Sequence, residues 1–169
     1  MDNQLDATDL EILQILDSEG QVSKAEIGRR INLAPSAVFA RLRSLEEIGI
    51  IRGYRVDIDY ARLGFPILAF VFVRETKPTP AGETLAALSS LGIAQEAHRI
   101  LGDDCFVLKI RCKDTDDLRV KLDRIGDIQT VAEVRTHIAL QSVDTRNSLL
   151  AELEFGDPVS NSESALHSV

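Results

Sequence analysis

The sequence is poor in several residue types that would assign it to a class of protein at once. It has two cysteines, five prolines and no tryptophan among 169 residues, and only 5% of the residues are aromatic. Two cysteines cannot form a disulfide framework. If residues 105–112 form one strand, Cys105 and Cys112 point to opposite faces and do not bridge. No apolar run approaches the ~20 residues that span a bilayer, and the acidic N-terminus lacks the pattern of a signal peptide. We therefore expect a cytoplasmic protein with reduced thiols and no membrane partner.

Positive charge is scarce overall and concentrated in one block. The formal net charge is −8, with 44% apolar and 27% charged residues, an ordinary balance for a globular protein. Residues 1–20 carry six acids and no base, whereas residues 21–62 carry eight bases and five acids, a balance of +3. Attraction to phosphate acts over about one Debye length, ~10 Å. The net negative charge therefore does not exclude a nucleic-acid partner for the basic block.

Periodic apolar residues predict two short helices at the start of the chain. A capping-box spacing at Thr8 opens the first helix, which ends at Gly20, and a second capping box at Ser23 opens a helix through Ile31. Gly28 costs about 1 kcal/mol in the middle of a helix, so we expect it to allow close packing.

A third helix follows after a turn of three residues. Asn32 tolerates the left-handed conformation that such a turn needs, and Pro35 suits the first position of a helix. One side of this helix would carry Val38, Leu42, Leu45 and Gly49, while the other would carry Ser36, Ala40, Arg43 and Glu47, with Phe39 flanking. This pattern is typical of a helix-turn-helix that reads a DNA groove, and a three-helix bundle with solvated charges is the alternative. Ile50–Ile58 then predicts a strand, followed by a connector over Asp59–Gly64.

The second half predicts a different architecture. The expected order is strand, helix, strand, strand, helix, strand, at Phe65–Arg74, Thr79–Leu91, Ala94–Leu101, Cys105–Cys112, Asp114–Ile125 and Val131–Val143. This is the ferredoxin-like βαββαβ order. The first strand has apolar residues on both faces, and two helices cover only one face of the sheet. We therefore expect a large exposed apolar patch and a sheet-to-sheet dimer, which would present two DNA-reading helices.

Taken together, the chain resembles the Lrp/AsnC ("feast/famine") family of transcription regulators. The N-terminal residues that carry the resemblance are Leu5-Asp6, Asp9, Ile12-Leu13, Leu16, Ser23, Glu26-Ile27-Gly28, Leu33, Ser36, Val38, Arg41-Leu42, Leu45-Glu46, Gly49-Ile50-Ile51 and Gly53-Tyr54. The C-terminal ones are Glu96, His98, Gly102-Asp103, Asp114 and Arg135-Thr136. The resemblance implies an α+β chain, in which an N-terminal helix-turn-helix domain joins a C-terminal ferredoxin-like effector-binding domain. It also implies a homodimer that assembles further to a tetramer or octamer.

The family pattern indicates which residues would contact DNA and effector. Matched positions give DNA-binding candidates at Ser36, Ala37, Phe39, Ala40, Arg41 and Arg43, and the basic block adds Lys24 and Arg52. Arg41 matches a near-constant family arginine that either touches phosphate or braces the fold. Effector-binding candidates are Leu101, Gly102, Asp103, Asp104 and Cys105, with Thr136, His137 and Ile138 on a neighbouring strand. An amino-acid-like effector is implied, its carboxylate close to backbone N–H groups at Gly102 and its ammonium near an acidic side chain.

Two positions depart from the family pattern. Ala34 stands where the family usually has serine, so the third helix lacks its usual cap, a loss of about 1 kcal/mol unless Ser36 or Asn32 substitutes. Asp104-Cys105 stands where the family often has an aromatic residue and then aspartate. The acid is either displaced by one residue or the pocket takes a different effector, or none.

These observations lead to one interpretation with two alternatives. We expect a DNA-binding transcription regulator with no catalytic residues, no metal and no cofactor other than an effector. Its two expected domains cover residues 1–54 and 65–153, with a linker at 55–64 and a disordered tail at 154–169. One alternative is an oligomeric ligand-sensing protein without strong DNA binding. The other is an enzyme or metal protein on a ferredoxin-like fold, with His98, His137, Asp103 and Cys105 converging as ligands.

Overall fold

The protein, described by a computed structural model over residues 5–76, 82–143 and 150, divides into two compact units. One unit contains residues 5–57 together with Leu150, and the other contains residues 58–143. No helix among these described residues is long and apolar enough to cross a membrane. The predicted tail at 154–169 lies outside the described residues.

The N-terminal unit consists of three helices, α1 (Ala7–Glu19), α2 (Lys24–Ile31) and α3 (Pro35–Glu47). The prediction that Thr8 caps α1 is wrong, because Asp6 is the N-cap. Its Oδ1 accepts a hydrogen bond from the Asp9 N–H at 2.9 Å, and the Asp9 Oδ2 accepts one from the Asp6 N–H at 3.2 Å. Two aspartates with the same three-residue spacing form the capping box two residues earlier, and aspartate caps more strongly than threonine. Gly20 ends α1 as predicted.

The joint between α2 and α3 has the predicted features. Ser23 caps α2 by accepting from the Glu26 N–H at 3.1 Å, and Asn32 adopts the left-handed conformation with φ of +56°. Gly28 packs closely against the turn: a Cβ placed there would lie 2.3 Å from the Leu33 carbonyl oxygen. The same glycine accepts a hydrogen bond from the Leu33 N–H at 2.8 Å. A side chain at position 28 would therefore push the turn away from α2.

The inward side of α3 is as predicted except at its end. Val38, Leu42 and Leu45 are buried, packed with apolar residues of α1 and α2. Gly49 does not belong to this side, because α3 ends at Glu47 and Gly49 lies exposed with φ of +78°. It therefore lies beyond the end of the helix and not at a packing position.

The predicted strand over Ile50–Ile58 is wrong. No residue of this segment is assigned to a strand, and residues 52–59 are exposed. A strand requires a neighbouring chain segment to take up its backbone hydrogen bonds, and no described segment pairs with it. The Tyr54 hydroxyl instead donates to the Glu46 carboxylate at 3.0 Å, which ties the segment to the end of α3.

The C-terminal unit has the predicted βαββαβ order. Its elements are β1 (Ile67–Glu75), α4 (Glu83–Ser90), β2 (Ala94–Arg99), β3 (Phe106–Cys112), α5 (Thr115–Gly126) and β4 (Val131–Ile138). The strands form one antiparallel sheet in the order β2-β3-β1-β4. The predicted start of α4 at Thr79 lies outside the described residues, and the predicted extension of β4 to Val143 is wrong, since the strand ends at Ile138.

The two faces of the sheet differ sharply. On one face Ala69, Val71 and Val73 are fully buried in the core of this unit.

On the other face the apolar surface is narrower than predicted. Leu68 is only 7% exposed and Phe70 37% exposed. Charged pairs flank them: Lys109 Nζ lies 2.8 Å from Glu96 Oε1 on one side, and Arg74 pairs with Glu133 on the other. The expected large apolar patch is therefore a short central strip with charged edges.

The two thiols are free, as predicted. Cys112 is buried at the end of β3, whereas Cys105 is half-buried and precedes that strand. Burial raises the pKa of the Cys112 thiol, which makes it an inert core residue.

Candidate DNA-binding surface and effector loop

The outward side of α3 carries most of the predicted DNA-binding residues. Ser36, Phe39, Ala40 and Arg43 are exposed, and Ala37 is half-buried. Phe39, at 50% exposed, is a large apolar side chain facing solvent. Small, apolar and basic side chains on one helix face can enter a major groove and contact thymine methyl groups and base edges.

Two cationic side chains on or beside this face make only exposed, exchangeable contacts. Arg43 pairs with Glu47 four residues later at 2.8 Å, and both side chains are largely exposed. Lys24 at the start of α2 lies 5.1 Å from the centre of the Phe39 ring, a cation–π contact across the two helices. Both cations can turn toward a phosphate at little cost, because exposed ion pairs contribute little.

Arg41 has a different environment. Its guanidinium lies 2.7 Å from the Asp6 carboxylate and 2.8 Å from the Asp9 carboxylate, the same pair that caps α1. Burial raises the pKa of Asp6, but the Asp9 backbone N–H and the Arg41 guanidinium outweigh this and lower it. Of the two roles that the family pattern allowed for Arg41, the geometry favours bracing α1 against α3.

The remaining basic residues of the block divide into paired and unpaired ones. Arg29 and Arg30 both bind the Glu26 carboxylate, at 2.7 and 2.8 Å, and Arg30 also pairs with Glu19. The Arg29 and Arg30 guanidiniums lower the pKa of Glu26 to about 2. Arg52 is exposed in the extended segment beyond α3, and it forms no ion pair with any residue in the described ranges.

The N-terminus of α3 is uncapped, as the alanine at position 34 predicts. Ala34 offers no side-chain hydrogen bond, and neither Ser36 nor Asn32 substitutes for it. Pro35 has no N–H, and the N–H groups of Ala37 and Val38 both donate to the Ala34 carbonyl. This leaves the Ser36 N–H of the first turn, and a free N–H at the positive end of a helix favours an anion such as a phosphate.

The predicted effector loop connects β2 to β3. The Ile100 N–H donates to the Cys105 carbonyl at 2.9 Å, and the Cys105 N–H donates to the Val73 carbonyl at 2.9 Å, which closes the loop onto β1. Gly102 has φ of +145°, a conformation that favours glycine. Leu101, Gly102 and Asp103 are exposed at its tip.

The two acids of this loop have distinct environments. Asp104 is only 8% exposed, and it forms an ion pair with Arg135 on β4. Asp103 is exposed and forms no ion pair with any described residue. The carboxylate available to a ligand's ammonium group is therefore that of Asp103, while Asp104 connects the loop to β4.

The strand part of the predicted site lies beside this ion pair on β4. Thr136, His137 and Ile138 pair with Val71, Phe70 and Ala69 of β1, and they follow Arg135 directly in the chain. The His137 ring packs edge-on against Phe72 at 5.4 Å between ring centroids. The sequence prediction did not include Arg135 in this site. Its position next to Thr136 in the family pattern was the signal that could have identified it.

The metal-site alternative finds no support in this geometry. His98 lies 3.6 Å from Glu96 on β2. Among the residues that the structure describes, no group of three or more histidine, cysteine, aspartate or glutamate side chains is placed to hold a metal ion.

Comparison with known proteins matches both units. The sequence pattern of winged helix-turn-helix DNA-binding domains matches residues 5–52, and that of the Lrp/AsnC ligand-binding domain matches residues 68–149. The chain is 32% identical over 143 residues to the HTH-type transcriptional regulator LrpC of Bacillus subtilis, covering 85% of this chain and 96% of that one.

Solved structures agree. That of Escherichia coli AsnC is similar with a TM-score of 0.76 and 26% identity over 85% of this chain and 97% of that one. That of a Neisseria meningitidis transcriptional regulator in complex with L-Met has a TM-score of 0.80 and 25% identity over 88% and 99%. The chain belongs to the Lrp/AsnC family and is a helix-turn-helix transcriptional regulator.

Proposed function

We propose that the outward side of α3 lies in the major groove of DNA and reads sequence there. Ser36, Ala37, Phe39, Ala40 and Arg43 form the contact surface, with Lys24 and Arg52 on neighbouring phosphates. Arg41 acts indirectly, by holding α1 against α3. The unit is regulatory rather than catalytic and works in the cytoplasm, where DNA is available to it.

The observation that carries this proposal is the contrast between the two sides of α3. Three apolar residues fix the inward side in the core, while the outward side keeps Arg43 exposed and only weakly paired with Glu47. Since helix, turn and core are rigidly packed at Gly28, the outward side chains are presented in a fixed orientation. Such preorganisation is what base readout requires.

The test is the affinity of the Arg43→Ala variant for DNA fragments selected by the wild-type protein. We expect weaker binding at every salt concentration and, if Arg43 contacts a phosphate, a salt dependence shallower by about one unit. Arg119→Ala is the matched control, because Arg119 is an exposed arginine of the C-terminal unit whose one ion-pair partner among the described residues is Asp123. Equal affinity of the wild-type and Arg43→Ala proteins would refute the proposed surface.

The C-terminal unit binds an amino-acid-like effector at the loop over residues 101–105 and the adjoining strand segment Thr136–Ile138. Gly102 supplies the open turn, and Asp103 supplies the carboxylate for an ammonium group. The Asp104–Arg135 ion pair holds the loop against β4. The L-Met complex of the Neisseria relative supports an amino-acid ligand for this chain.

A thermal-shift screen against the amino acids tests this assignment, because a ligand that binds only the folded state raises the Tm. The Asp103→Asn variant should lose the shift and fold normally. Asp104→Ala is a poorer test, since it strips a nearly buried ion pair of its acid and destabilises the fold itself. A ligand-induced shift that persists undiminished in Asp103→Asn would show that Asp103 does not hold the ammonium.

The C-terminal unit also forms the homodimer, through the outer sheet face that carries Leu68 and Phe70, and dimers assemble further to a tetramer or octamer. The domain limits of 1–54, 55–64 and 65–153 stay a prediction, since the two compact units divide at residues 57 and 58 and Leu150 belongs to the N-terminal one. The Phe70→Asp substitution would place a charge at the centre of the dimer interface. Light scattering should then show monomers, and an unchanged molar mass would place the dimer interface elsewhere.

A further inference from the structure

A second cavity in the C-terminal unit lies outside the predicted effector site. It has a volume of about 260 Å³ and is lined by Tyr60, Phe65, Gly92, Ile93, Gln95, Arg111 and Lys121. None of these residues belongs to the loop at 101–105 or to β4. The volume is slightly below the range of about 300–1,000 Å³ that suits drug-sized ligands, so the cavity fits a small metabolite.

The aromatic wall of the cavity is built by one tight turn. The Phe65 N–H donates to the Tyr60 carbonyl at 2.9 Å, and Gly64 between them has φ of +87°. This turn brings two aromatic rings together at the start of the unit. The Tyr60 ring faces the Arg111 guanidinium at 5.7 Å, and the Phe65 ring faces the Lys121 ammonium at 5.8 Å.

Arg111 is the unusual residue of this cavity. Its Nε is buried and has no hydrogen-bond partner. Its guanidinium forms no ion pair with any residue in the described part of the chain, although the protein carries an excess of acids. Buried charged donors in proteins normally have an acceptor. Arg111 as a whole is half-buried. A half-buried arginine whose Nε lacks an acceptor, facing an aromatic ring at the edge of a cavity, is poised for an anionic ligand.

The other polar groups define what kind of anion fits. The Lys121 ammonium binds the Arg111 carbonyl and the Asp117 carboxylate, both at 2.8 Å, so Asp117 is occupied. No carboxylate lines the cavity. An ammonium group on a ligand would therefore meet two cations and no acid.

A bulge in β2 supplies the remaining polar group. Ala94 pairs with Ile110 and Glu96 with Lys109, so the register shifts and Gln95 between them is left out of the ladder. Bulges redirect side chains in this way. Gln95 thereby adds an amide to a cavity that Ile93 and Phe65 line with apolar groups.

We propose that this cavity binds a small carboxylate with an apolar body and no ammonium group, such as an α-keto acid. The carboxylate pairs with Arg111, and the apolar body packs against Ile93, Phe65 and Tyr60. The site thus separates keto acids from the amino acids that the loop at 101–105 takes. It uses residues of this unit alone and does not depend on the proposed effector loop. Because Arg111 is the cross-strand neighbour of Leu68, the cavity adjoins the proposed dimer face.

The test is calorimetric titration of the full-length protein with α-ketoisocaproate. L-leucine, which shares its carbon skeleton, and chloride at matched ionic strength are titrated in parallel. We expect saturable binding of the keto acid, weakened about tenfold or more in the Arg111→Gln variant, as for loss of one charge-assisted hydrogen bond. Arg119→Gln is the control, because it removes the same charge from α5 outside the cavity. The Asp103→Asn variant should bind the keto acid normally, which separates this site from the effector loop.

A second variant keeps the test valid if Arg111→Gln does not fold. Gln95→Glu adds a carboxylate to the same cavity lining as Arg111 without changing side-chain size, so it should raise the Tm of the free protein and abolish keto-acid binding. Absence of keto-acid binding to the wild-type protein would overturn the proposal. Three other results would also overturn it. The Arg111→Gln variant could bind the keto acid as tightly as the wild type, L-leucine could bind equally well at the same site, or chloride could give the same response as the keto acid.

Discussion

Replacing Gly28 by alanine is the most informative single perturbation of the DNA-binding unit. An alanine Cβ at this position would lie 2.3 Å from the Leu33 carbonyl oxygen and 3.5 Å from Val38 Cγ2. The first distance is far below van der Waals contact, and a backbone oxygen cannot move aside by changing rotamer. The turn between α2 and α3 must therefore shift.

Two opposing effects determine the magnitude. Alanine gains about 1 kcal/mol over glycine in a helix interior. Overpacking a closely packed site costs about 1–3 kcal/mol, and here the clash is with backbone that also donates the Leu33 N–H to the Gly28 carbonyl. Because the clash is with backbone, we take the upper part of this range, about 2–3 kcal/mol. We therefore expect a net loss of about 1–2 kcal/mol in the free energy of unfolding, together with weaker DNA binding because α3 is displaced.

Urea unfolding monitored by circular dichroism, with DNA affinity measured in parallel, tests this expectation. Gly126→Ala is the matched control, since Gly126 lies at the end of α5 and a Cβ there meets nothing within 4 Å. That control should be neutral or slightly stabilising. If Gly28→Ala proved as stable as Gly126→Ala and bound DNA as the wild type does, the close contact at the turn would not matter.

Three further predictions concern the charges around α3. Glu47→Gln frees Arg43 from an exposed ion pair and removes an acid from the DNA-facing side. Gel-shift titration should therefore show an affinity for DNA raised about two- to threefold, and a lower affinity would contradict this. Arg41→Met should lower the free energy of unfolding by about 1 kcal/mol or less and leave the salt dependence of DNA binding unchanged, whereas a shallower salt dependence would indicate a phosphate contact. The pKa of Glu26 lies at about 2 instead of its ordinary 4.5, so its contribution to stability is present above pH 4.5 and is lost as the pH falls toward 2. Glu26→Gln should therefore reduce the acid sensitivity of thermal unfolding, and equal Tm loss in both proteins would contradict this.

Local sequence rules predicted the helix-turn-helix well. The cap at Ser23, the left-handed Asn32, the proline that opens α3 and the missing cap at Ala34 all depend on residues within one turn of each other. The error at the start of α1 has the same local origin, because Asp6 and Asp9 have the same spacing as the threonine and glutamate that were chosen.

The wrong predictions depended on partners distant in the chain. Ile50–Ile58 has a strand-like pattern, but a strand exists only where another segment pairs with it. The ion pair between Asp104 and Arg135 joins residues 31 positions apart, and no pattern in either segment announces it. The cavity at Arg111 likewise brings together a turn and a bulge that meet only in the folded sheet.

The prediction of a large apolar patch failed for a related reason. The sequence pattern identified the apolar residues of β1 correctly on both faces. The charged edges of the outer face come from the end of β1 and from β2, β3 and β4, whose order across the sheet decides which side chains flank Phe70.

The central claim is that side chains on the outward side of α3 read DNA bases directly. The most direct test is a selection of binding sites from random-sequence DNA with the wild-type protein and with Ala40→Gln. Glutamine makes a bidentate contact with adenine in the major groove, so the selected sequence should change at one position and at its counterpart in the other half-site. If both proteins selected the same sequence with the same affinity, Ala40 would not face the bases, and the account of α3 as the reading helix would be wrong.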